Sequence, residues 1–558
     1  MQERIIILGA GVMQGPAIKI AKELGFFTVV VDGSCNAPCI SMADHFEHID
    51  LKDKEGIEAF ARSLQNSGGL GGIMTAGTDF SATVSWVAER LGLPGIPYEA
   101  ALNASDKTRM RSCFKKAGVP SPDFAALTKE NCGKLPWLPF PLVVKPVDNM
   151  GGRGCRLVNG ADEFRDAAED ALRFSRSGRA IAETFMDGPE FSVDAIVYHG
   201  EIIICGLADR HIFFQPYFIE MGHTMPADVT SVQQESLLET FCAGVRALGL
   251  AGPECVGAAK GDIKLSSKKG AMIGEIAARL SGGYMSGWTY PYSSGVEPIR
   301  AAILAAMGRK PDGLEPLKNW CSAERAFISI PGTVKAISGT ASARGLPCVQ
   351  DLFLRAAIGD KVDFPRNNVS KCGNIISASP DRAGAIEAAE AAARSILIRL
   401  ETSDSETSDF LAKSDTFPPD AYQLTPPLKA ELSALPETEA CSIGVSVPVL
   451  SFPAFTESGL KDYVGRTVKE SLKAICELTG LSLVFFDTVP EMFVKNGESS
   501  DNRKGKPREN SISGDSNGFL GKSFWAALAR GGYQGAVYYV DCLRRFRTGT
   551  KPETNTLP

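Results

Sequence analysis

The chain has 558 residues, of which 44% are hydrophobic and 22% charged, so it is too long for one core and too apolar to be disordered. A net charge of −6 with dispersed basic residues excludes a nucleic-acid or anionic-membrane footprint and leaves a small molecule as the default partner. The start MQERIIILGAGVMQG lacks the apolar core of a signal peptide and no later stretch is apolar enough to span a bilayer, which predicts a soluble, cytoplasmic protein without a membrane partner.

The first elements alternate. An apolar strand at 4–8 is followed by a glycine turn and a helical pattern, then by a second strand, FFTVVVD, at 26–32, a third near 73–79 and a helix near 80–92. Such alternation implies a parallel sheet. The turn carries Gly9, Gly11 and Gly15 but has Met13 and Gln14 where a dinucleotide fingerprint would close. With Asp32 at the end of the second strand, a nicotinamide-dependent dehydrogenase stays open at this point.

From residue 105, SDKTRMRSCFKKAG predicts a helix capped by Ser105 with a basic, solvated face. The stretch FPLVVKPVDNMGGRGCRLV at 140–158 reads as strand, lysine, glycine-rich turn and strand. IAETFMDGPEFSVDAIV follows at 181–197, then a helix near 230–248, and two strands joined by SSKKG that set Asp262 beside Glu275. Residues 322–400 alternate short strands with turns and finish in a long Ala-rich helix, DRAGAIEAAEAAARSILIRL. A Ser-, Asp- and Pro-rich linker leads to a tail with an amphipathic helix near 461–479, a polar insert predicted to be disordered and a closing RGGYQGAVYYVD. The fourteen cysteines are scattered, and the closest pair, Cys35 and Cys39, has no partners for zinc, so reduced thiols are expected.

Phosphoryl transfer needs positive charge on the phosphates, a divalent cation and backbone amides that close over them. Lys145 precedes a loop whose Gly151, Gly152 and Gly154 let amides approach phosphate oxygens, and Arg153 is either a further phosphate contact or an exposed loop arginine. Glu183 and the following TFMDG suit an adenine edge, and Glu190 suits ribose hydroxyls. Asp262 and Glu275 each interrupt an apolar strand, which is costly unless a cation neutralises them, so they are candidate magnesium ligands. Arg279 either counters charge on the transferring phosphoryl group or bridges to one of those acids. The glycine- and aromatic-rich run 281–295, with Gly282, suits a substrate pocket wall or a packed turn.

In this order and spacing, VVKPVDNMGGRG, ETFMDGPEFSVD and GEIAARLSGG resemble the nucleotide and metal motifs of the ATP-grasp superfamily. The resemblance covers about residues 1–400 and implies that the leading domain is Rossmann-like without binding a dinucleotide. It implies ATP with Mg2+, for which Mn2+ can substitute: Lys107 and Lys145 on phosphates, Glu183 and the Phe185 backbone on adenine, Glu190 on ribose, and Asp262 and Glu275 on the metal. One departure is that most relatives have Glu-x-Asn where this chain has Glu275, Ile276 and Ala277, so a ligand oxygen is missing. FIEMGHTMP at 218–226 resembles the Glu-x-Gly-His-x-x-Pro stretch of ATP-grasp amino-acid ligases, which makes His223 a substrate residue.

The expected architecture is α/β and α+β multidomain: a Rossmann-like pre-ATP-grasp domain at 1–103, a two-lobed ATP-grasp domain at 104–310 and a small capping domain at 311–401. A linker at 402–440 and an extra α/β domain at 441–558, with a disordered insert near 496–518, complete it. The implied reaction joins a small carboxylate to an amine through an acyl phosphate, with catalytic Arg279 and His223. Dimers are common in this superfamily, so a homodimer is allowed. Two alternatives stay open, a bicarbonate-using carboxylase of the same superfamily and a nucleotide-binding protein whose catalysis has decayed.

Overall fold

In the computed structural model the described residues are 2–413, 417–439, 443–489 and 518–545. Ile5–Leu8 are fully buried because their strand, Arg4–Leu8, lies inside a parallel sheet ordered His45–His48, Phe27–Asp32, Arg4–Leu8, Leu70–Met74. The side chains alternate as a strand requires. Ile5 and Ile7 face the helix Gly15–Glu23, whereas Ile6 and Leu8 face the helices Lys54–Asn66 and Ser81–Leu91. The glycine turn is filled from within, since the Gln14 side chain receives the Gly11 N–H (3.0 Å) and donates to the Ala76 carbonyl. Asp32 is occupied by the amides of Ala10 and Ser34, both at 2.8 Å. Turn and acid are thus committed to local structure.

Two sheets frame the centre. A small antiparallel sheet is ordered Phe124–Leu127, Ala180–Thr184, Leu142–Pro146, Arg156–Val158. Facing it, an eight-stranded sheet runs Gly270–Ala277, Val256–Ser266, Glu190–Tyr198, Glu201–Phe213, Ile219–Met225, Cys321–Phe327, Gly373–Ser379, Val349–Leu354. The strands expected to meet at SSKKG do pair, with Asp262 opposite Glu275. The large sheet crosses the expected boundary at 310, because Ile219–Met225 pairs with Cys321–Phe327. The cap therefore shares its backbone hydrogen bonds with the ATP-grasp lobe.

Several expectations need correction. The helix Lys107–Ala117 is capped by Asp106 rather than Ser105, since Asp106 Oδ1 receives the amides of Thr108 (2.8 Å) and Arg109 (3.1 Å). Its basic face is not all solvated, because Lys107 and Arg111 are buried. The Ala-rich helix stops at Ser395, and the apolar Leu397–Leu400 forms a strand against Gly332–Ser338 instead. The linker also holds structure: helices Ser405–Ala412 and Pro426–Ala434 bury Phe410 and Leu428. Apart from residue 518, the insert near 496–518 lies outside the described residues.

In the tail, parallel strands Ser446–Leu450 and Ser482–Phe486 are joined through the helix Val468–Thr479, which opens with a Thr467–Glu470 capping box. The run RGGYQGAVYYVD lies in the helix Lys522–Arg545, broken at Gly532 (φ 62°). Arg530, buried at the break, donates to the carbonyls of Phe410 (3.1 Å) and Pro418 (2.6 Å) and pairs with Asp420 (2.7 Å). Gln534 receives the Ile330 amide (3.0 Å) and donates to the Ile398 carbonyl (2.8 Å), which fastens the tail to the cap. No described helix is long and apolar enough to cross a membrane, and the described cysteines are free thiols.

Arg530→Ala would remove a donor from two buried carbonyls and the basic partner of Asp420. We expect a loss of roughly 3–5 kcal/mol in the unfolding of the tail, read from chemical denaturation of the full chain followed by the fluorescence of Trp525, which is fully buried there.

Candidate active site

A cavity of about 450 Å3 opens between the two sheets. Lys107, Lys145, Gly151, Gly152, Arg153, Glu183, Phe185, Glu190, His223, Asp262, Glu275, Arg279 and Gly282 all line it, although they span 176 positions of sequence from Lys107 to Gly282, counted inclusively. Gly154 does not. It has φ +67°, and a Cβ there would press on Phe174 and Pro146, so its role is close packing of the loop root.

The floor is one row of side chains across five strands of the large sheet. Lys264 faces Glu190, Glu190 faces Arg210, Arg210 faces His223 and His223 faces Glu324. Arg210 anchors the row: its guanidinium contacts Glu190 and lies 2.5 Å from Glu220 and 3.0 Å from Asp262. Burial alone would weaken the arginine cation, but the three carboxylates outweigh it and hold it well above its usual range.

The next rows carry the candidate metal ligands. Asp262 and Glu275 stand opposite one another, and Lys260, two residues before Asp262, stands opposite Ala277. Lys107 reaches Glu275 at 3.0 Å. Burial opposes the Glu275 charge, yet Lys107, Lys145 and Lys260 hold its carboxyl down at about 2. Asp262 Oδ1 is buried beside Arg210 and Lys260 without a directed hydrogen bond. Two adjacent carboxylates facing one cavity fit one hard divalent cation. Among the described residues no cluster of three or more acidic, histidine or cysteine ligands forms, and the Ala277 position offers only a methyl group.

The cations are held from behind. Glu183, 2% exposed, is ion-paired with Arg111 (2.9 Å) and Lys145 (2.8 Å), and these outweigh its burial and keep it ionised. Arg111 also donates to the Gly274 carbonyl (2.5 Å), so one buried side chain ties the small sheet to the large one. The Glu183 carboxylate is thereby committed to positioning Lys145 rather than free for an adenine edge. The Phe185 N–H donates to the Pro141 carbonyl (3.1 Å), which leaves the Phe185 carbonyl for a base. Arg279 has no carboxylate partner among the described residues, and its hydrogen bond goes to the Leu280 carbonyl (3.1 Å). Of its two sequence readings, the bridge to an acid is not formed.

The glycine loop lies over the cavity with Gly151 and Gly152 at positive φ. The Gly151 carbonyl accepts the Asn368 amide (2.8 Å), while the Asn368 side chain accepts the Glu220 amide (2.8 Å), so the cap spans from loop to floor. His223 is 1% exposed, with Nδ1 2.9 Å from Glu324 and Nε2 3.6 Å from Glu220. Asn374 donates to the other Glu324 oxygen. Burial disfavours the imidazolium, but Glu220 and Glu324 overcome it and raise the His223 pKa above 6.5. The turn after Arg279 is held by Asp194, which accepts the Ser281 amide (2.8 Å) and hydroxyl. Gly283, at φ +60°, leaves room for Glu220 and His223 beside it.

Residues 104–283 match the model of the ATP-grasp domain, and residues 326–401 match that of the L-amino acid ligase C-terminal domain 2. The chain thus carries an ATP-grasp domain, followed by a domain of the L-amino acid ligase type. The protein y4rH of Sinorhizobium fredii is 25% identical over 357 residues, covering 62% of this chain and 72% of its own. Alanine–anticapsin ligase of Bacillus subtilis is 25% identical over 304 residues, covering 49% of this chain and 61% of its own, so less than two thirds of that relative is spanned. The crystal structure of an L-amino acid ligase from Bacillus licheniformis superposes with a TM-score of 0.62 at 20% identity, covering 72% of this chain and 99% of its own, and shows the shared fold.

Sequence reasoning had passed over three residues that line this cavity, Arg210, Lys260 and Glu220, and two that support lining residues from behind, Arg111 and Glu324. Lys260 was open to detection, because a residue two before Asp262 on a strand shares its face. Glu324 interrupts the apolar strand CSAERAF, the same signal that marked Asp262. Arg210 and Arg111 act through register and lobe contact, which no local pattern encodes.

Glu324→Gln removes one of the two charges that sustain the His223 imidazolium. A raised histidine pKa supports the fold below its unfolded value and loses that support as pH rises through the folded one. The variant should therefore move the His223 titration to lower pH. Proton NMR can follow it, because the chain has only five histidines, and an unchanged midpoint would show that Glu324 does not govern this ring.

Proposed function

We propose that this chain is an ATP-grasp ligase that activates a small carboxylate, an amino acid, as an acyl phosphate and transfers the acyl group to an amine. The observation that carries the reading is the convergence of Arg279, free of any acid partner among the described residues, with Lys107, Lys145 and the Glu220–His223 pair on one cavity. A polyphosphate lies against Lys107, Lys145 and the glycine loop, and Asp262 and Glu275 hold the divalent ion. When bound, that ion supplies charge neutralisation on the phosphates.

A substrate carboxylate oxygen attacks the γ-phosphorus, the bond to the β-phosphate oxygen breaks and ADP leaves. Arg279 offsets the charge that builds on the transferring group. The amine nitrogen then attacks the acyl carbon, phosphate departs and one proton is lost from nitrogen. Glu220, fixed between Arg210 and His223, receives the ammonium group of an amino-acid substrate. The closed glycine loop keeps water from the reactive acyl group. The name of the alanine–anticapsin relative supports an amino acid on one side of the new bond.

A second reading has one observation in its favour. Ala277 removes a potential ligand oxygen, which suits a nucleotide-binding protein without turnover. Release of ADP and phosphate, measured with ATP and Mg2+ against single and paired amino acids, bicarbonate and simple amines, separates the two. Release that needs an amino-acid pair supports the ligase, whereas bicarbonate alone sufficing supports a carboxylase. Glu275→Gln should lower any such release by roughly 100-fold or more while far-UV circular dichroism stays unchanged. Full turnover in that variant would remove Glu275 from the metal site.

A further inference from the structure

Lys260 and Ala277 are directly opposed on neighbouring strands, and Asp262 and Glu275 form the adjoining opposed pair. All four side chains share one face, because each pair is cross-strand and the two pairs are two residues apart. Lys260 also stands opposite Asp194 on its other side. Its ammonium contacts Asp262 and lines the cavity. A fixed positive charge therefore lies beside the position where the side-chain oxygen expected from the resemblance is replaced by a methyl.

We propose that the Lys260 ammonium takes the place of a second divalent cation, so that this chain binds its nucleotide with a single metal ion. The proposal rests on the nucleotide reading of the cavity. Asp262 and Glu275 provide two carboxylates, enough for one hard cation completed by phosphate oxygens and water. A second cation beside Glu275 would find no oxygen on Ala277 and would face the Lys260 charge across a short, poorly hydrated gap. Lysine brings its charge without requiring ligands. Asp262 holds it through an ion pair. The lysine and the methyl group stand opposite one another across the two strands, so the lysine charge sits where the ligand oxygen is missing.

The test counts ions rather than turnover. The full chain is titrated with Mn2+ in the presence of AMP-PNP, a nonhydrolysable ATP analogue, and bound ion is read from the loss of the free Mn2+ electron paramagnetic resonance signal. The wild-type protein should hold one Mn2+ per bound AMP-PNP. The double variant Lys260→Ala with Ala277→Asn should hold two, and Lys260→Ala alone should bind AMP-PNP about tenfold more weakly. Two ions on the wild-type protein would overturn the proposal without any need for the variants. One ion on a double variant that still binds AMP-PNP would overturn it as well. Failure of the wild-type chain to bind AMP-PNP would remove the nucleotide reading itself, an outcome distinct from a wrong ion count.

Discussion

Charge neutrality inside a poorly hydrated cavity is the constraint on which this structure turns. Five carboxylates, Glu183, Glu190, Glu220, Asp262 and Glu275, line one space, and each is matched by a cation from a different element. An unpaired carboxylate there would protonate or disrupt the fold. The row from Lys264 to Glu324 places its charges through strand register. A one-residue slip in any of the five strands would turn its charge to the opposite face of the sheet.

The row also explains how the parts are held. Arg111 joins the small sheet to the large one through Glu183 and the Gly274 carbonyl. Glu324 joins the capping strand to the ATP-grasp lobe through His223. The contacts that arrange the chemistry are therefore the contacts that align the lobes, and stability and site geometry depend on the same buried ion pairs.

Local patterns revealed much of this. The parallel domain was visible in its alternating runs, and the metal pair in two acids that interrupt apolar strands. What stayed hidden depends on partners distant in sequence. The Glu183 carboxylate reads as a base contact until Arg111 and Lys145 are seen on it, and Arg210 reads as an ordinary strand arginine until three acids from three strands close around it. The long Ala-rich helix was overextended because ILIRL continues a helical apolar pattern, and only the edge of Gly332–Ser338 claims it as a strand. The linker was misread because its polar composition masks Phe410, Tyr422 and Leu428, three apolar side chains that find a tertiary core.

The tail's grip on the cap bears on how the protein can be inherited and divided. Tyr538 and Cys542 pack in the same core as Phe327, Ile330, Ile398 and Leu400, and Arg399 is paired with Asp541. The two family matches stop at residue 401, yet a chain severed there would present those apolar side chains to water and invite self-association. The segment is thus no detachable module. Exchange of this ligase by recombination would have to carry its final helix along, or supply another surface to cover the cap.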